Sequence, residues 1–261
     1  MSLYVKETGE NNRETIVFLH AGMSSGWMWN KHLEIFKDYH CLVPDLPEHG
    51  KSIDIKLFTM KGAAEEIIGL IKEKAHGGKA HVVGLSLGAQ VAVQMLSMAP
   101  ETVHDAVITG TLAREVGSGI AVFMNIFYKV YMRLKDTDFF IKMGMRAQNI
   151  SVDYFQYVKK DNKALTWNSL NNITSENRSF RIPENLCTSK NRVLILVGEK
   201  EVKVAHESAV DLNKCLLNSK AYKAANFGHT WSLESPEFFS SVVMAWINDR
   251  PLPESLGKLR F

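Results

Sequence analysis

The sequence predicts an α/β fold built on a mostly parallel, doubly wound sheet, and two patterns indicate it. Seven short runs, most of them apolar, are typical of strands, and five segments with helical spacing alternate with most of them. Strands that are apolar throughout are typical of a parallel sheet covered by helices on both faces. The predicted strands are 3–7, 15–19, 40–44, 80–85, 105–109, 192–198 and 220–225. The predicted helices are 27–36, 60–75, 89–99, 205–215 and 237–248.

The order of these elements predicts two departures from simple alternation. Residues 3–7 and 15–19 are joined by a polar turn and are expected to form an antiparallel hairpin at the sheet edge. Between residues 111 and 185 no good strand is found, and Phe123, Phe127 and Tyr131 recur at helical spacing. The sequence therefore predicts a core made of residues 1–110 and 186–261, with residues 111–185 as a helical insertion.

The pentapeptide 84–88, G-L-S-L-G, is the most informative motif, because its serine separates a strand-like run from a helical pattern. A G-x-S-x-G sequence in that context is typical of a nucleophile elbow, a sharp turn that exposes the serine hydroxyl. The two glycines lack the Cβ atoms that would obstruct the approach of strand and helix. Free N–H groups at the helix N-terminus favour an anion beside the serine. The motif predicts Ser86 as a nucleophile.

Two further strand ends offer the groups that a nucleophilic serine needs. The first predicted parallel strand leads into a loop of small residues, where the backbone N–H of Gly22 or Met23 is predicted to pair with that of Leu87 as an oxyanion hole. The apolar run 193–197 is followed by acidic residues, and a carboxylate there orients a histidine.

His229 is the predicted base among nine histidines, because it lies in a Gly-His-Thr loop after the last predicted strand. His20 is expected to shape the oxyanion loop by hydrogen bonding, and His49 and His81 are expected to be structural. The remaining five lie at helix or loop positions without a motif, where a histidine is usually a surface or core residue.

The chain order of serine, acidic residue and histidine is that of the α/β-hydrolase family. The sequence resembles a member of that family over residues 4–248. The resemblance rests on H-x-G at 20–22, on P-D-L-P-E-H-G-K-S at 44–52, on the elbow and on the Gly-x-x-acid and Gly-His segments. It implies a mostly parallel doubly wound sheet of the α/β-hydrolase type, with a helical cap inserted after the sixth strand and lying over the elbow.

The resemblance leaves two candidates for the acid. The family usually has aspartate, and the matching position here is Glu201, which is followed by the family's acid-x-x-apolar run. Glu199, one residue beyond Gly198, is the competing candidate. Asp105 and the end of the sixth strand are next if neither glutamate approaches the histidine. Glu48 replaces the first glycine of the family's D-x-x-G-x-G-x-S loop.

Composition excludes several classes of protein. The formal net charge is +3 and the basic residues are scattered, so no nucleic-acid partner is expected. Neither a phosphate loop nor metal-ligand spacing appears, so no cofactor and no metal are predicted. No apolar run approaches the roughly twenty residues of a membrane span, and a signal-peptide pattern is absent, so a cytoplasmic protein is expected. Cys41, Cys187 and Cys215 are expected to be buried free thiols.

The predicted activity is covalent acyl transfer to Ser86. The leading hypothesis is a carboxylesterase that acts on a small-molecule ester with a small or medium apolar acyl group, because an apolar cap without a charged anchor suits such substrates. A carbon-carbon bond hydrolase or a thioesterase would use the same triad. The same fold also serves as a small-ligand receptor with little hydrolysis. The acyl group, the leaving group and the oligomeric state stay open.

Overall fold

The computed structural model describes residues 2–55, 57–114 and 127–259, which contain one eight-stranded sheet. In chain order the strands are β1 (Val5–Thr8), β2 (Thr15–Leu19), β3 (His40–Pro44), β4 (Ala80–Leu85), β5 (Val103–Thr109), β6 (Arg192–Gly198), β7 (Ser219–Ala224) and β8 (Leu256–Lys258). Their order in the sheet is β1-β3-β2-β4-β5-β6-β7-β8.

The six strands from β2 to β7 run parallel, which confirms the predicted sheet. The predicted hairpin of the first two strands is wrong, because β1 pairs antiparallel with β3, with Val5 opposite Pro44. All five residues of β2 are buried and the strand has β3 and β4 as partners, so neither of its edges is free for β1. The sequence pattern also missed β8, a three-residue strand antiparallel to β7.

Helices cover both faces, as predicted. They are α1 (Asn30–Ile35), α2 (Met60–Lys74), α3 (Leu87–Met98), α4 (described over 127–134), α5 (Asp138–Ala147), α6 (Phe155–Ala164), α7 (Trp167–Ser179), α8 (Lys203–Cys215), α9 (Trp231–Glu234) and α10 (Pro236–Ile247). Alternate side chains of β2 point to opposite faces. Val17 and Leu19 pack with residues of α2, α3 and α8, whereas Ile16 and Phe18 pack with residues of α1 and α10.

The helices α4 to α7 lie between β5 and β6, where the sequence predicts an insertion. The insertion follows the fifth strand and not the sixth, because only five strands precede it in this chain. Phe127 and Tyr131 lie on α4 as their spacing predicts, and Phe123 lies outside the described residues. No helix in the described part of the chain has the length and apolar character needed to cross a bilayer.

Two of the three cysteines form a disulfide, so the prediction of three free thiols is wrong. Cys187 precedes β6 and Cys215 ends α8, and tertiary packing brings their Cα atoms to 4.7 Å from each other across 28 residues of sequence. Cys41 is free and buried in β3. Disulfides persist mainly in oxidising compartments, so this bond gives no support to the expected cytoplasmic location.

Candidate active site

Ser86 occupies a sharp turn between β4 and α3. Its φ of 55° and ψ of −112° lie outside the regions that residues with a Cβ normally adopt. The turn is held because the Ser86 N–H donates to the Thr109 carbonyl at 2.9 Å. A Cβ on Gly84 would lie 2.6 Å from the Gly88 carbonyl oxygen, and a Cβ on Gly88 would collide with the Leu19 backbone. Both glycines are therefore required by close approach of strand and helix.

The loop after β2 lies against the first turn of α3. A Cβ placed on Gly22 would be 3.7 Å from the Cβ of Leu87, so the two segments are in direct contact. Met23 adopts a left-handed φ of 59°, which turns the chain at this point. Leu87 begins α3, and its N–H is one of the first four in the helix that have no partner inside it. The structure thus brings Gly22 and Met23 close to the N-terminus of α3.

His20 is buried and supports this loop by two hydrogen bonds. Its Nε2 accepts from the Leu46 N–H at 2.9 Å, and its Nδ1 lies 2.8 Å from the Ala21 carbonyl oxygen, to which it donates. Burial lowers the pKa of His20 to about 4, so the ring is neutral near pH 7. A neutral ring with one N–H and one free lone pair fits both bonds.

Glu201 and His229 meet beside the turn that follows β6. Oε2 of Glu201 lies 2.7 Å from Nδ1 of His229, and Oε1 accepts from the Gly198 N–H at 2.9 Å. The Glu201 side chain is 3% exposed, whereas His229 is 41% exposed. The carboxylate is thus fixed at both oxygens, and the outer ring nitrogen of His229 is left for another partner.

Glu199, the competing candidate, lies elsewhere. Its carboxylate accepts from the Asn226 N–H at 2.9 Å and lies 3.0 Å from Nζ of Lys223. Asp105, the next candidate, is at the opposite end of the sheet. Oδ2 of Asp105 lies 3.3 Å from Nδ1 of His81 and 3.2 Å from Nδ1 of His104, at the amino ends of β4 and β5.

In the described part of the chain, one group of side chains lies close enough together to hold a metal ion. It consists of His81, His104 and Asp105, and one ligand atom from each lies within 4.8 Å of the others. The sequence predicted no metal cluster because the two histidines are far apart along the chain. Arg192 Nε, at 3.7 Å from Oδ1 of Asp105, already supplies a cation to the same carboxylate.

Gly110 is a residue near His229 that the sequence analysis missed. Its φ is 63°, and a Cβ there would lie 2.8 Å from both Cε1 and Nδ1 of His229 and 3.4 Å from Oε2 of Glu201. A side chain at this position would therefore displace the imidazole. Its signal in the sequence, a glycine that directly follows a strand, is too common to be recognised alone.

A cavity of about 350 Å³ is lined by both Ser86 and His229. Its walls come from the loop after β2, from α9 and from the helical insertion, and they are mainly apolar. The apolar part of the wall includes Met28, Phe140, Ile141, Met145, Ile150, Val158, Ile173 and Leu233. An apolar cavity lined by a few polar side chains is typical of a small-molecule site.

Asp161 joins the insertion to the loop after β2. This carboxylate on α6 accepts from Ser25 Oγ at 2.9 Å and from Trp27 Nε1 at 2.6 Å. Burial raises the pKa of Asp161 to about 6 in spite of these two bonds. Nothing in the local sequence distinguishes Asp161 from a surface residue of an amphipathic helix, so the contact had no detectable signal.

Glu48 shows how the chain replaces a glycine of the family's loop. It adopts a φ of 60°, and its buried carboxylate accepts from the Phe58 N–H at 3.0 Å and from Nδ2 of Asn172 on α7 at 3.0 Å. These bonds to two other segments compensate for a left-handed backbone that glycine would adopt without strain.

Comparison with known proteins finds similar sequences and similar structures. Residues 16–202 match the sequence model of the alpha/beta hydrolase family. A Gibberella zeae protein named as an AB hydrolase superfamily protein is 25% identical over 92% of this chain and 82% of that protein. A Bacillus subtilis protein named as an uncharacterized carboxylesterase is 23% identical over 94% of this chain and 83% of that protein. A thermophilic esterase from Thermogutta terrifontis has a similar structure, with a TM-score of 0.74 at 19% identity over 95% of this chain and 93% of that one.

Proposed function

Since this chain belongs to the alpha/beta hydrolase family, we propose that it is a serine hydrolase of carboxylic esters with Ser86, His229 and Glu201 as its triad. The observation that carries the proposal is the Glu201–His229 hydrogen bond of 2.7 Å beside a cavity that both Ser86 and His229 line. A nucleophile, a base and a carboxylate that orients the base are the parts that acyl transfer requires.

The proposed reaction has two halves. In the first, His229 takes the proton of Ser86 while Oγ attacks the ester carbonyl, and the tetrahedral intermediate releases the alcohol, which leaves with that proton. In the second, His229 removes a proton from water as the water oxygen attacks the acyl-enzyme carbonyl, and it returns that proton to Ser86 Oγ as the acid leaves. Glu201 keeps the imidazole in the tautomer whose Nδ1–H faces the carboxylate.

The oxyanion is proposed to bind two backbone N–H groups, that of Leu87 and that of Gly22 or Met23. Support comes from the contact between Gly22 and Leu87 and from the position of Leu87 as the first residue of α3. A helix N-terminus adds its partial positive charge to these donors.

We assign residues 111–185 as a cap over a core of residues 1–110 and 186–261. Three hydrogen bonds support this division, because each attaches a side chain of the insertion to the core around the cavity. They join Asp161 to Trp27, Asn172 to Glu48 and Glu176 to the Met60 N–H. An apolar cavity of this size, partly walled by the insertion, suits an ester with a small or medium acyl group.

A panel of acyl esters tests the proposal directly. Purified protein should hydrolyse esters, an organophosphonate should label Ser86 and abolish turnover, and Ser86→Ala should be inactive and unlabelled. Labelling at another residue would exclude Ser86 as nucleophile. Turnover of thioesters or of carbon-carbon bonds in preference to esters would keep the triad and change the substrate class. Stoichiometric binding of esters without turnover would favour a receptor.

A further inference from the structure

Arg178 is a charged group in a cavity that the sequence predicts to have no charged anchor. It is the one Lys, Arg, Asp or Glu among the described residues that line the cavity around Ser86 and His229. It lies in the last turn of α7, where the helix dipole favours a cation. Burial raises the pKa of the phenol of Tyr128, another lining residue, and the nearby positive charge of Arg178 opposes that rise.

The guanidinium of Arg178 is only partly satisfied by the protein. Nε donates to the Thr174 carbonyl oxygen at 3.2 Å, while Nη1 is buried and has no hydrogen-bond partner. No carboxylate in the described part of the chain forms an ion pair with it. Nδ2 of the neighbouring Asn177, another lining residue, donates to Gln90 Oε1 at 3.1 Å.

A cation in apolar surroundings is unfavourable without an anion beside it, and a bound ligand can supply that anion. A guanidinium presents its N–H groups in a planar fork that matches a carboxylate, and one positive charge balances one carboxylate. A phosphate with two negative charges would need a second cation, and Arg178 has none beside it among the lining residues.

On the basis of the proposed ester hydrolysis, we propose that Arg178 binds a carboxylate of the substrate. The substrate class is then an ester that carries a free carboxylate, with an apolar chain between that carboxylate and the scissile carbonyl. The apolar side chains Ile141, Met145 and Ile173 line the cavity that this chain would occupy. The monoester of a straight-chain dicarboxylic acid is the simplest member of the class.

The test compares monoesters of straight-chain dicarboxylic acids with esters of monocarboxylic acids of equal length and the same alcohol. Wild type should prefer the charged ester in kcat/KM by roughly tenfold or more, the range expected for a hydrogen bond between charged groups. Arg178→Gln should lose this preference and retain turnover of the neutral ester, which also shows that it folds. Arg178→Lys should recover part of it. Arg146→Gln, an equal change of charge on an exposed residue of the insertion, should leave the preference unchanged.

Equal kcat/KM for charged and neutral esters in wild type, or an equal effect of Arg146→Gln, would overturn the carboxylate site while leaving ester hydrolysis intact. If no ester is turned over, the proposed function fails, and a binding measurement tests the carboxylate site independently of turnover. Calorimetry with Ser86→Ala should then detect the dicarboxylate monoester, and Ser86→Ala combined with Arg178→Gln should bind it at least roughly tenfold more weakly. Equal binding by the two proteins would also overturn the inference.

Discussion

Glu201 reaches His229 although it stands where the family usually has the shorter aspartate. Its Oε2 lies 2.7 Å from Nδ1 of the imidazole, and its Oε1 accepts from the N–H of Gly198, three residues earlier. The second bond folds the side chain back over its own turn, which absorbs the additional methylene. The same carboxylate is therefore held by the strand end and oriented toward the histidine.

Replacing Glu201 by glutamine should lower kcat by roughly 10³- to 10⁴-fold, because an amide favours the wrong imidazole tautomer. Steady-state kinetics on an ester substrate measures the effect, and circular dichroism checks the fold. Glu199→Gln is the matched control and should change kcat little, since Glu199 contacts Asn226 and Lys223 instead. Equal losses in the two variants would argue against a special role for Glu201.

Gly110→Ala should lower kcat by about 10²-fold, because the new Cβ would lie 2.8 Å from Nδ1 of His229 and shift the ring. The variant should also lose about 1–2 kcal/mol of stability from its left-handed φ of 63°. Gly78→Ala is the control, because Gly78 has a φ of 66° with no atom near the added Cβ. It should lose similar stability and keep its kcat. A kcat in Gly110→Ala equal to that of wild type would contradict the crowding of His229.

Stability should fall with rising pH through the titration of Asp161. Its pKa is raised from 3.8 to about 6 in the folded protein, so between these values the folded state holds a proton that the unfolded chain has lost. The contribution of Asp161 to the free energy of unfolding is fully present below pH 3.8 and is lost as the pH rises through about 6. Asp161→Asn stays neutral and keeps an oxygen acceptor for Trp27.

Thermal melts at a series of pH values test the role of Asp161. Asp161→Asn should melt with a weaker pH dependence between about 4 and 6 than wild type, and at higher temperature than wild type above about pH 6. Asp153→Asn, an exposed carboxylate of the same insertion, should leave the pH profile unchanged. If Asp161→Asn had the same pH profile as wild type, titration of Asp161 would not contribute to the pH dependence of stability.

Thiol titration of unfolded, unreduced protein should detect one thiol, that of Cys41, and reduction should reveal all three cysteines. Cys187→Ala should lower the free energy of unfolding by about 3 kcal/mol, because the bond closes a loop of 28 residues and restricts the unfolded chain. Denaturant unfolding with and without reductant measures this difference. Three thiols without reductant, or identical unfolding curves, would exclude the disulfide.

The fold class was predictable from sequence because the patterns that indicate it lie within short segments of the chain. Runs such as 193–197 are apolar throughout and alternate with helical patterns, which only a sheet covered on both faces accommodates. The antiparallel partner of β1 was predicted incorrectly for the opposite reason. Pairing of Val5 with Pro44 joins segments 39 residues apart, and no feature of either strand distinguishes that partner from the neighbouring β2.

The sequence by itself determined the α/β architecture and offered Ser86, His229 and two glutamates, Glu199 and Glu201, as candidate site residues, because each lies in a motif of a few residues near the end of a predicted element. Only the tertiary structure decided which glutamate contacts His229, that Gly110 leaves room for the ring and that Cys187 bonds to Cys215. It also decided that Arg178 lines the apolar cavity with no carboxylate partner in the part of the chain that the structure describes. These relationships depend on distances between side chains from different elements. Spacing along the chain does not specify such distances, since packing of the helices on the sheet sets them.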